Sequence, residues 1–174
     1  LVSDIIPSQI SLGAIQRVLQ SLVSERVSIR DLVTILEAVQ EACGLGMRVV
    51  PQIVSHVRVR LCRQISASVV GPKGYIPIVS LSPNWENIFL DSIVGPPEDR
   101  QLAMPPSKLN EFIRKTKMVF DDKNNKGEGF VFVVGEGIRE SVKAIIERLY
   151  PSTMILSQRE IAPKTKIKTV YVIE

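Results

Sequence analysis

The sequence predicts a mixed α+β fold, in which an N-terminal three-helix subdomain precedes a small α/β subdomain with a mixed sheet. Up to Val70, apolar residues recur with the 3.6-residue period of amphipathic helices. The Gly-Pro-Lys-Gly segment at 71–74 ends that pattern, and short apolar runs typical of buried strands then alternate with helical segments. We therefore expect a helical subdomain at 1–72 and an α/β subdomain at 73–174.

The first predicted helix follows Ser11, a residue type that commonly caps helix N-termini. Its apolar residues are predicted to form one inward face: Leu12, Ile15, Val18, Leu19, Leu22 and Val23. Ser28 and Asp31 form a Ser-x-x-Asp cap before the second helix. The inward residues expected on that helix are Leu32, Ile35, Leu36 and Val39.

The second helix is expected to end near Gly44 and Gly46, because glycine is the usual residue after a helix C-terminus. Pro51 suits the first turn of a third helix, since its missing N–H would have no partner there. That helix is predicted to continue without a break to Val70.

Strands and helices alternate in the second subdomain. The strand candidates are YIPIVSL, FVFVV, TMILS and TVYVIE, and the helix candidates are SPNWENIFLDSI, SKLNEFIRKTKMVF and EGIRESVKAIIERLY. Pro77 favours a sheet edge or a strand start, because proline cannot donate to the ladder. Ser82, Pro83 and Glu86 predict a capping box. The segment DDKNNKGEG is predicted to be a polar connection. A short strand is expected near Leu102. The strand–helix–strand order after Phe130 implies a parallel pair.

Composition limits the classes of function. The chain has 174 residues, a net charge of +4 and a pI of about 9.2, with basic and acidic residues interleaved. Its two cysteines match no zinc-ligand spacing, and no apolar run approaches the ~18–20 residues of a membrane span. The chain opens without Met or a signal peptide, so we expect a fragment of a longer protein.

No motif in the sequence carries catalytic chemistry. His56 is the single histidine and lies on an apolar helical stretch. Gly135-Glu136-Gly137 follows a strand and opens a helix, but Glu136 would place a carboxylate where a phosphate should bind. The chain is therefore expected to be a non-enzyme without cofactor or metal.

A nucleic-acid-binding adaptor that uses the helical N-terminal third is the alternative. The third helix carries Arg58, Arg60 and Arg63, which could contact phosphates. However, the side chains of Arg58 and Arg60 would point in directions about 200° apart around the helix axis. They could not both enter one groove of a nucleic acid. Acidic residues that would repel phosphate also lie in this third: Glu25, Asp31, Glu37 and Glu41.

Three segments resemble the FHIPEP family, the large export-gate proteins of flagellar and virulence type III secretion systems. The first segment matches through Glu25, Val27, Ser28, Ile29, Arg30, Asp31, Thr34, Ile35, Leu36 and Glu37. The second matches through Val57, Arg58, Leu61, Arg63 and Ile65. The third matches through Pro151, Leu156, Ser157, Glu160 and Ile161.

The resemblance implies that this chain comprises the third and fourth of four cytoplasmic subdomains. It also implies that the third subdomain builds a homo-oligomeric ring. It implies a position at the cytoplasmic face of the bacterial inner membrane. The implied partners are further copies of the protein, export chaperone–substrate complexes, export ATPase components and other export-gate membrane proteins, without nucleic acid. It favours a flagellar member, although no residue separates the two systems. The isolated fragment is expected to be a monomer or a weak oligomer.

Six charged residues are candidates for subunit-interface or structural ion pairs: Glu25, Arg26, Arg30, Asp31, Arg58 and Arg63. Asp31 suits a helix N-terminus electrostatically, whereas Arg30 does not and needs a partner elsewhere. Two interpretations stay open. Either Arg30 pairs with an acid of its own subdomain while Ser28 caps the helix, or Arg26, Arg30 or the third-helix arginines meet acids of a neighbouring subunit.

Overall fold

The chain divides into two units, Leu1–Ile65 and Ser66–Glu174. The computed structural model describes residues 1–126 and 129–174. The mixed α/β class is confirmed, because helices alone form the first unit and parallel strands with helices form the second. The boundary between the units falls before the Gly-Pro-Lys-Gly segment from which the domain prediction was made.

Amphipathic helices build the first unit. They are α1 (Val2–Ile5), α2 (Leu12–Ser24), α3 (Leu32–Gly44), α4 (Val50–Arg60) and α5 (Cys62–Val69), the last of which continues into the second unit. Ser11 caps α2 as expected, since its side chain accepts the N–H of Ala14 at 3.1 Å. The expected continuous third helix is interrupted at Leu61, which caps α4 and separates it from α5.

The predicted inward faces of α2 and α3 are only partly buried. Ile15, Val18 and Leu22 lie in the core as expected. The predictions for three other residues are wrong, because Leu12, Val23 and Leu32 are 67%, 54% and 44% exposed. All three lie at helix ends, where the chain has fewer neighbouring helices to cover an apolar side chain.

A four-stranded parallel sheet forms the centre of the second unit. Its strands are β1 (Ile76–Leu81), β4 (Val131–Val134), β5 (Ile155–Ser157) and β6 (Ile167–Ile173), in the spatial order β5-β4-β1-β6. A separate antiparallel pair consists of β2 (Ile93–Val94) and β3 (Gln101–Leu102). Antiparallel pairing is thus confined to this short ribbon, and the expected parallel pairing of β4 with β5 is confirmed.

Pro77 lies at a strand start but not at a sheet edge, because β1 pairs with β4 on one side and β6 on the other. The N–H of Ile76 donates to the carbonyl of Lys166, the residue before β6. Successive residues point their N–H groups to opposite sides, so the proline nitrogen faces β4. Pairing with β4 begins only at Ile78, and no ladder hydrogen bond is lost.

Helices α6 (Pro83–Ser92), α7 (Pro106–Lys126) and α8 (Arg139–Leu149) complete the second unit, with short 3₁₀ turns at Glu136–Ile138 and Gln158–Glu160. Trp85 and Phe89 of α6 pack on Phe112 of α7, with ring centroids 5.3 and 4.9 Å from it. Helix α7 continues through Lys126, into the segment expected to be a polar connection, because no glycine or proline interrupts it before Gly127. Residues 127 and 128 of that segment lie outside the described residues.

Glu86 links α6 to the carboxyl end of β4. Its carboxylate accepts the N–H of Gly135 at 3.1 Å, whereas a capping-box partner at Ser82 was expected. A Cβ at residue 135 would lie 2.9 Å from Oε2 of Glu86, so glycine is required for this approach. The Glu86 carboxylate therefore accepts the N–H that a phosphate would accept in a glycine-rich loop. This hydrogen bond agrees with the expectation that Gly135-Glu136-Gly137 is not a phosphate-binding site.

Replacement of Glu86 by Gln is expected to change how stability depends on pH. Burial raises the pKa of the Glu86 carboxyl above its ordinary value of 4.5, and the hydrogen bond from Gly135 partly opposes this. Between the ordinary and the raised pKa the folded state holds the proton more tightly, so stability falls as pH rises through that window. Glu86→Gln keeps the acceptor and removes this fall. Urea unfolding at a series of pH values, with the exposed Glu136→Gln as control, would contradict the assignment if both variants followed the same curve as the parent chain.

Candidate interface and ion-pair sites

A buried ion pair joins the end of α2 to α4. Arg58 lies on α4 with none of its surface exposed, and its Nη1 is 3.3 Å from Oε2 of Glu25, the residue that caps α2. The side chain of Glu25 is 11% exposed. A buried guanidinium without a carboxylate would be strongly destabilising, so this pair fixes where α2 ends against α4. It also removes Arg58 from any contact with nucleic acid.

Arg26 ends α2 in a left-handed conformation. Its φ is 62°, its N–H donates to the carbonyl of Val23, and the N–H of Val27 donates to that of Leu22. This is a Schellman motif, in which buried Val27 packs near buried Leu22. Helix α3 ends in the same motif with Gly46 at the left-handed position, φ 87°. Arginine is disfavoured at such a position, and its exposed side chain is therefore worth testing for a role of its own.

Asp31, and not Ser28, caps α3. Its carboxylate accepts the backbone N–H of Thr34 at 3.2 Å and the Thr34 hydroxyl at 2.7 Å. These hydrogen bonds, led by the one from the hydroxyl, lower the pKa of the Asp31 carboxyl. Ser28 instead accepts the N–H of Arg30 at 3.3 Å. The expectation of a Ser28 cap was wrong because the helix starts at Leu32, one residue after the carboxylate.

Arg30 precedes α3 and lies outside its first turn. Its side chain is exposed and forms no ion pair with any residue that the structure describes. Arg63, on α5, is likewise exposed and has no ion-pair partner between residues 1 and 126 or 129 and 174. The structure thus brings Glu25 and Arg58 together and leaves Arg30 and Arg63 available at the surface.

A second cluster bridges α3 and α4 and was not found from the sequence. Glu41 of α3 contacts two side chains of α4, with its Oε2 3.2 Å from His56 Nε2 and its Oε1 3.3 Å from Arg60 Nη1. The spacing of His56 and Arg60 by four residues places both on one helix face, which was the available signal. Arg60 is therefore held by a carboxylate, which further weakens the nucleic-acid alternative.

Exposed apolar side chains lie beside exposed arginines at one end of the first unit. We use the name α2–α3 corner for five exposed residues at the end of α2 and the start of α3: Val23, Arg26, Arg30, Leu32 and Val33. Val33 is 60% exposed, which is unusual for an apolar side chain in the first turn of a helix. A surface that combines apolar and arginine side chains has the composition of a protein–protein interface.

The second unit contains a comparable buried arginine. Arg139 is 2% exposed, donates to the carbonyl of Ile155 at 3.1 Å and lies 3.7 Å from the buried carboxylate of Glu160. Ser157 donates to the same carboxylate at 2.9 Å, and Ser66 donates to the backbone carbonyl of Glu160 at 3.1 Å. Because its members are buried and hydrogen-bonded, this network holds α8, β5 and the segment after β5 together and has a structural role.

Metal and membrane sites were sought in the described part of the chain. No group of three or more His, Cys, Asp or Glu side chains in residues 1–126 and 129–174 could hold a metal ion. Each helix within those ranges is too short or too polar to cross a lipid bilayer.

Comparisons with known proteins agree across sequence and structure. The model of the FHIPEP family matches residues 1–166. The flagellar biosynthesis protein FlhA of Caulobacter vibrioides is 45% identical over 170 residues, which are 98% of this chain and 24% of that protein. The nonameric EPEC SctV-C, solved by cryo-EM, matches with a TM-score of 0.85 and 27% identity over 95% of this chain and 49% of that one.

A solved complex of the Chlamydia pneumoniae CdsV and CdsO proteins shows the same fold. The match has a TM-score of 0.84 and 24% identity, and it covers 99% of this chain and 49% of that one. The chain thus spans about a quarter of the curated relative and about half of each solved chain.

Replacement of Arg58 is expected to destabilise the first unit far more than replacement of Arg60. Arg58→Met leaves Glu25 largely buried beside an apolar side chain and should lower the free energy of unfolding by about 3–5 kcal/mol. Arg60→Met breaks a pair whose side chains are 42% and 43% exposed, so the loss should be below about 1 kcal/mol. Urea unfolding measures both, and similar losses in the two variants would show that burial of the pair is not what makes it important.

Proposed function

The chain belongs to the FHIPEP family, and we propose that it acts as part of the cytoplasmic region of an export-gate protein of the flagellar type III secretion system. In this proposal it lies at the cytoplasmic face of the bacterial inner membrane and performs a mechanical, non-enzymatic role. The flagellar branch is supported by the 45% identity to FlhA of Caulobacter vibrioides. Assembly into a ring is supported by the likeness to SctV-C, which was solved as a nonamer.

The α2–α3 corner is the observation that carries the ring proposal. Val23 and Val33 are more than half exposed, and Leu32 is 44% exposed, although all three are apolar. Apolar contact with a neighbouring subunit would supply affinity, while Arg26 and Arg30 would set the register through acids of that neighbour. Exposed ion pairs contribute only about 0–1 kcal/mol each, so the apolar residues should dominate the binding energy.

Partner docking forms the second part of the proposal. The proposed partners are export chaperone–substrate complexes, export ATPase components and other export-gate membrane proteins. The solved complex of CdsV with CdsO supports a secretion-system partner for a protein of this fold. Nucleic acid is not among the proposed partners, because Arg58 is buried and Arg60 contacts Glu41.

The non-enzymatic role is supported by the environment of the residues that most often perform catalysis. His56 lies beside Glu41, with no nucleophile among its described hydrogen-bond partners. The carboxylate of the half-buried Glu86 accepts a hydrogen bond from the N–H of Gly135. Both side chains make contacts that serve the fold.

A charge introduced at Val33 tests the ring. Val33→Glu places a carboxylate in the first turn of α3, where it suits the helix electrostatically, so the fold should be retained. Self-association should weaken roughly tenfold or more, as expected on loss of an apolar contact above about 1.4 kcal/mol. Sedimentation velocity of the chain over a wide concentration range measures this, and swimming motility of cells with the same substitution in the complete gene measures its consequence.

Met118→Glu on α7 is the matched control, because Met118 is similarly exposed, at 54%, and lies outside the corner. The ring proposal fails if Val33→Glu and Met118→Glu leave self-association and motility equally unaffected.

Arg30→Ala separates the two interpretations of that residue. An exposed arginine without an ion pair in the described residues should leave the free energy of unfolding within about 0.5 kcal/mol. Motility should fall if the side chain meets a neighbouring subunit. A clear drop in Tm would instead support a structural role within the unit.

A further inference from the structure

The two edges of the parallel sheet differ in burial. All three residues of β5 are buried, whereas only Ile173 of the seven residues in β6 is. The large apolar residues exposed on β6 are Ile167 at 49%, Tyr171 at 37% and Val172 at 40%. Tyr171 and Val172 are consecutive and point to opposite faces of the sheet, so β6 is partly exposed on both faces. Strands of parallel sheets are ordinarily buried on both faces, so this edge is unusual.

The outer edge of β6 also presents backbone groups. Lys166 accepts the N–H of Ile76, and Ile173 accepts the N–H of Ser82, so these two residues face β1. Their neighbours Ile167 and Val172 therefore direct their N–H and C=O groups away from β1, to the side where no strand of the sheet lies. A register irregularity between these two positions makes the strand bend. The edge is long enough to pair with an added strand.

All charged residues of β6 and of the segment that leads into it are basic. Lys164, Lys166 and Lys168 are exposed, and no acidic residue occurs from 161 to 173. Lysines on an edge strand oppose pairing with a neutral or basic strand. They would not oppose an acidic strand, because lysine and glutamate directly opposite each other across a ladder attract.

We propose that β6 is a docking edge for an extended, acidic segment of a partner protein that is rich in β-branched residues and adds to the sheet as a fifth strand. Main-chain hydrogen bonds to Ile167 and Val172 would hold the segment, and the three lysines would select its charge. The inference is independent of the ring proposal, because it uses only the second unit and none of the α2–α3 corner.

The test follows amide hydrogen exchange by NMR in the 174-residue chain. The probe is the blocked peptide Glu-Val-Glu-Ile-Thr-Val-Glu. Added strands protect outward-facing amides, so exchange at Ile167 and Val172 should slow at least tenfold, whereas the amide of Ser80 in the middle of the sheet should not change. Two control peptides keep the length: one has lysine for every glutamate, and one has proline for every β-branched residue. Neither should protect.

Two variants of the chain sharpen the test. Val172→Pro removes one outward N–H and should weaken binding of the peptide about tenfold, while Val172→Thr retains the N–H and should bind as the parent does. Lys166→Glu should also weaken binding of the acidic peptide several-fold. The affinity of this variant should increase less steeply than that of the parent chain as the salt concentration is lowered. Lys117→Glu, on the exposed face of α7, is its control. If Val172→Pro fails to fold, the lysine variants decide the matter.

Three results would overturn the proposal. In the first, the acidic peptide gives no protection at millimolar concentration. In the second, the proline peptide binds as well as the strand-forming one, so charge alone is responsible. In the third, the parent chain protects the same amides by self-association through β6 without peptide, so the occupant is a second copy.

Discussion

Burial of the Arg58 guanidinium is the constraint on which the first unit depends. A charge without exposed surface requires a carboxylate within contact distance, and the chain supplies Glu25 at 3.3 Å. The Glu25 carboxylate can reach Arg58 only if α2 ends at this position. Helix α2 ends there through a Schellman motif, which places Arg26 at positive φ. The position of the α2–α3 corner, with its exposed arginine and apolar side chains, thus follows from a buried charge on α4.

The second unit uses the same physical device. Arg139 is buried beside Oε2 of Glu160, Ser157 donates to the same oxygen, and Ser66 donates to the backbone carbonyl of Glu160. Such pairs contribute little net stability compared with apolar residues of equal volume, but they penalise every arrangement in which the partners separate. In each unit a buried arginine therefore makes a particular helix arrangement specific, while apolar packing such as the Trp85–Phe112–Phe89 contact supplies the stability.

Local sequence rules predicted what local physics determines. The caps at Ser11 and Ser82, the buried strand β4 and the position of α8 follow from hydrogen-bonding side chains and apolar periodicity. Periodicity cannot tell which end of an apolar face will be covered, which is why Leu12, Val23 and Leu32 were wrongly placed inside. Helical spacing showed that Arg58 and Arg60 diverge, but only the packing of α2 against α4 decides that Arg58 is the buried one. Likewise, Glu86 fits a capping box locally, and its distant partner Gly135 could not be found from sequence spacing.

The exposed surfaces of the two units have a common logic. Both the α2–α3 corner and β6 combine exposed apolar side chains with exposed basic ones, whereas the acids Glu25, Glu41, Glu86 and Glu160 make contacts inside their own units. Arginine or lysine side chains lie beside each of the two apolar patches. Any partner of either surface must then bring acidic groups of its own, and apolar area with them. A binding surface of this composition discriminates by charge and binds by apolar contact, which suits a component that must assemble in one register.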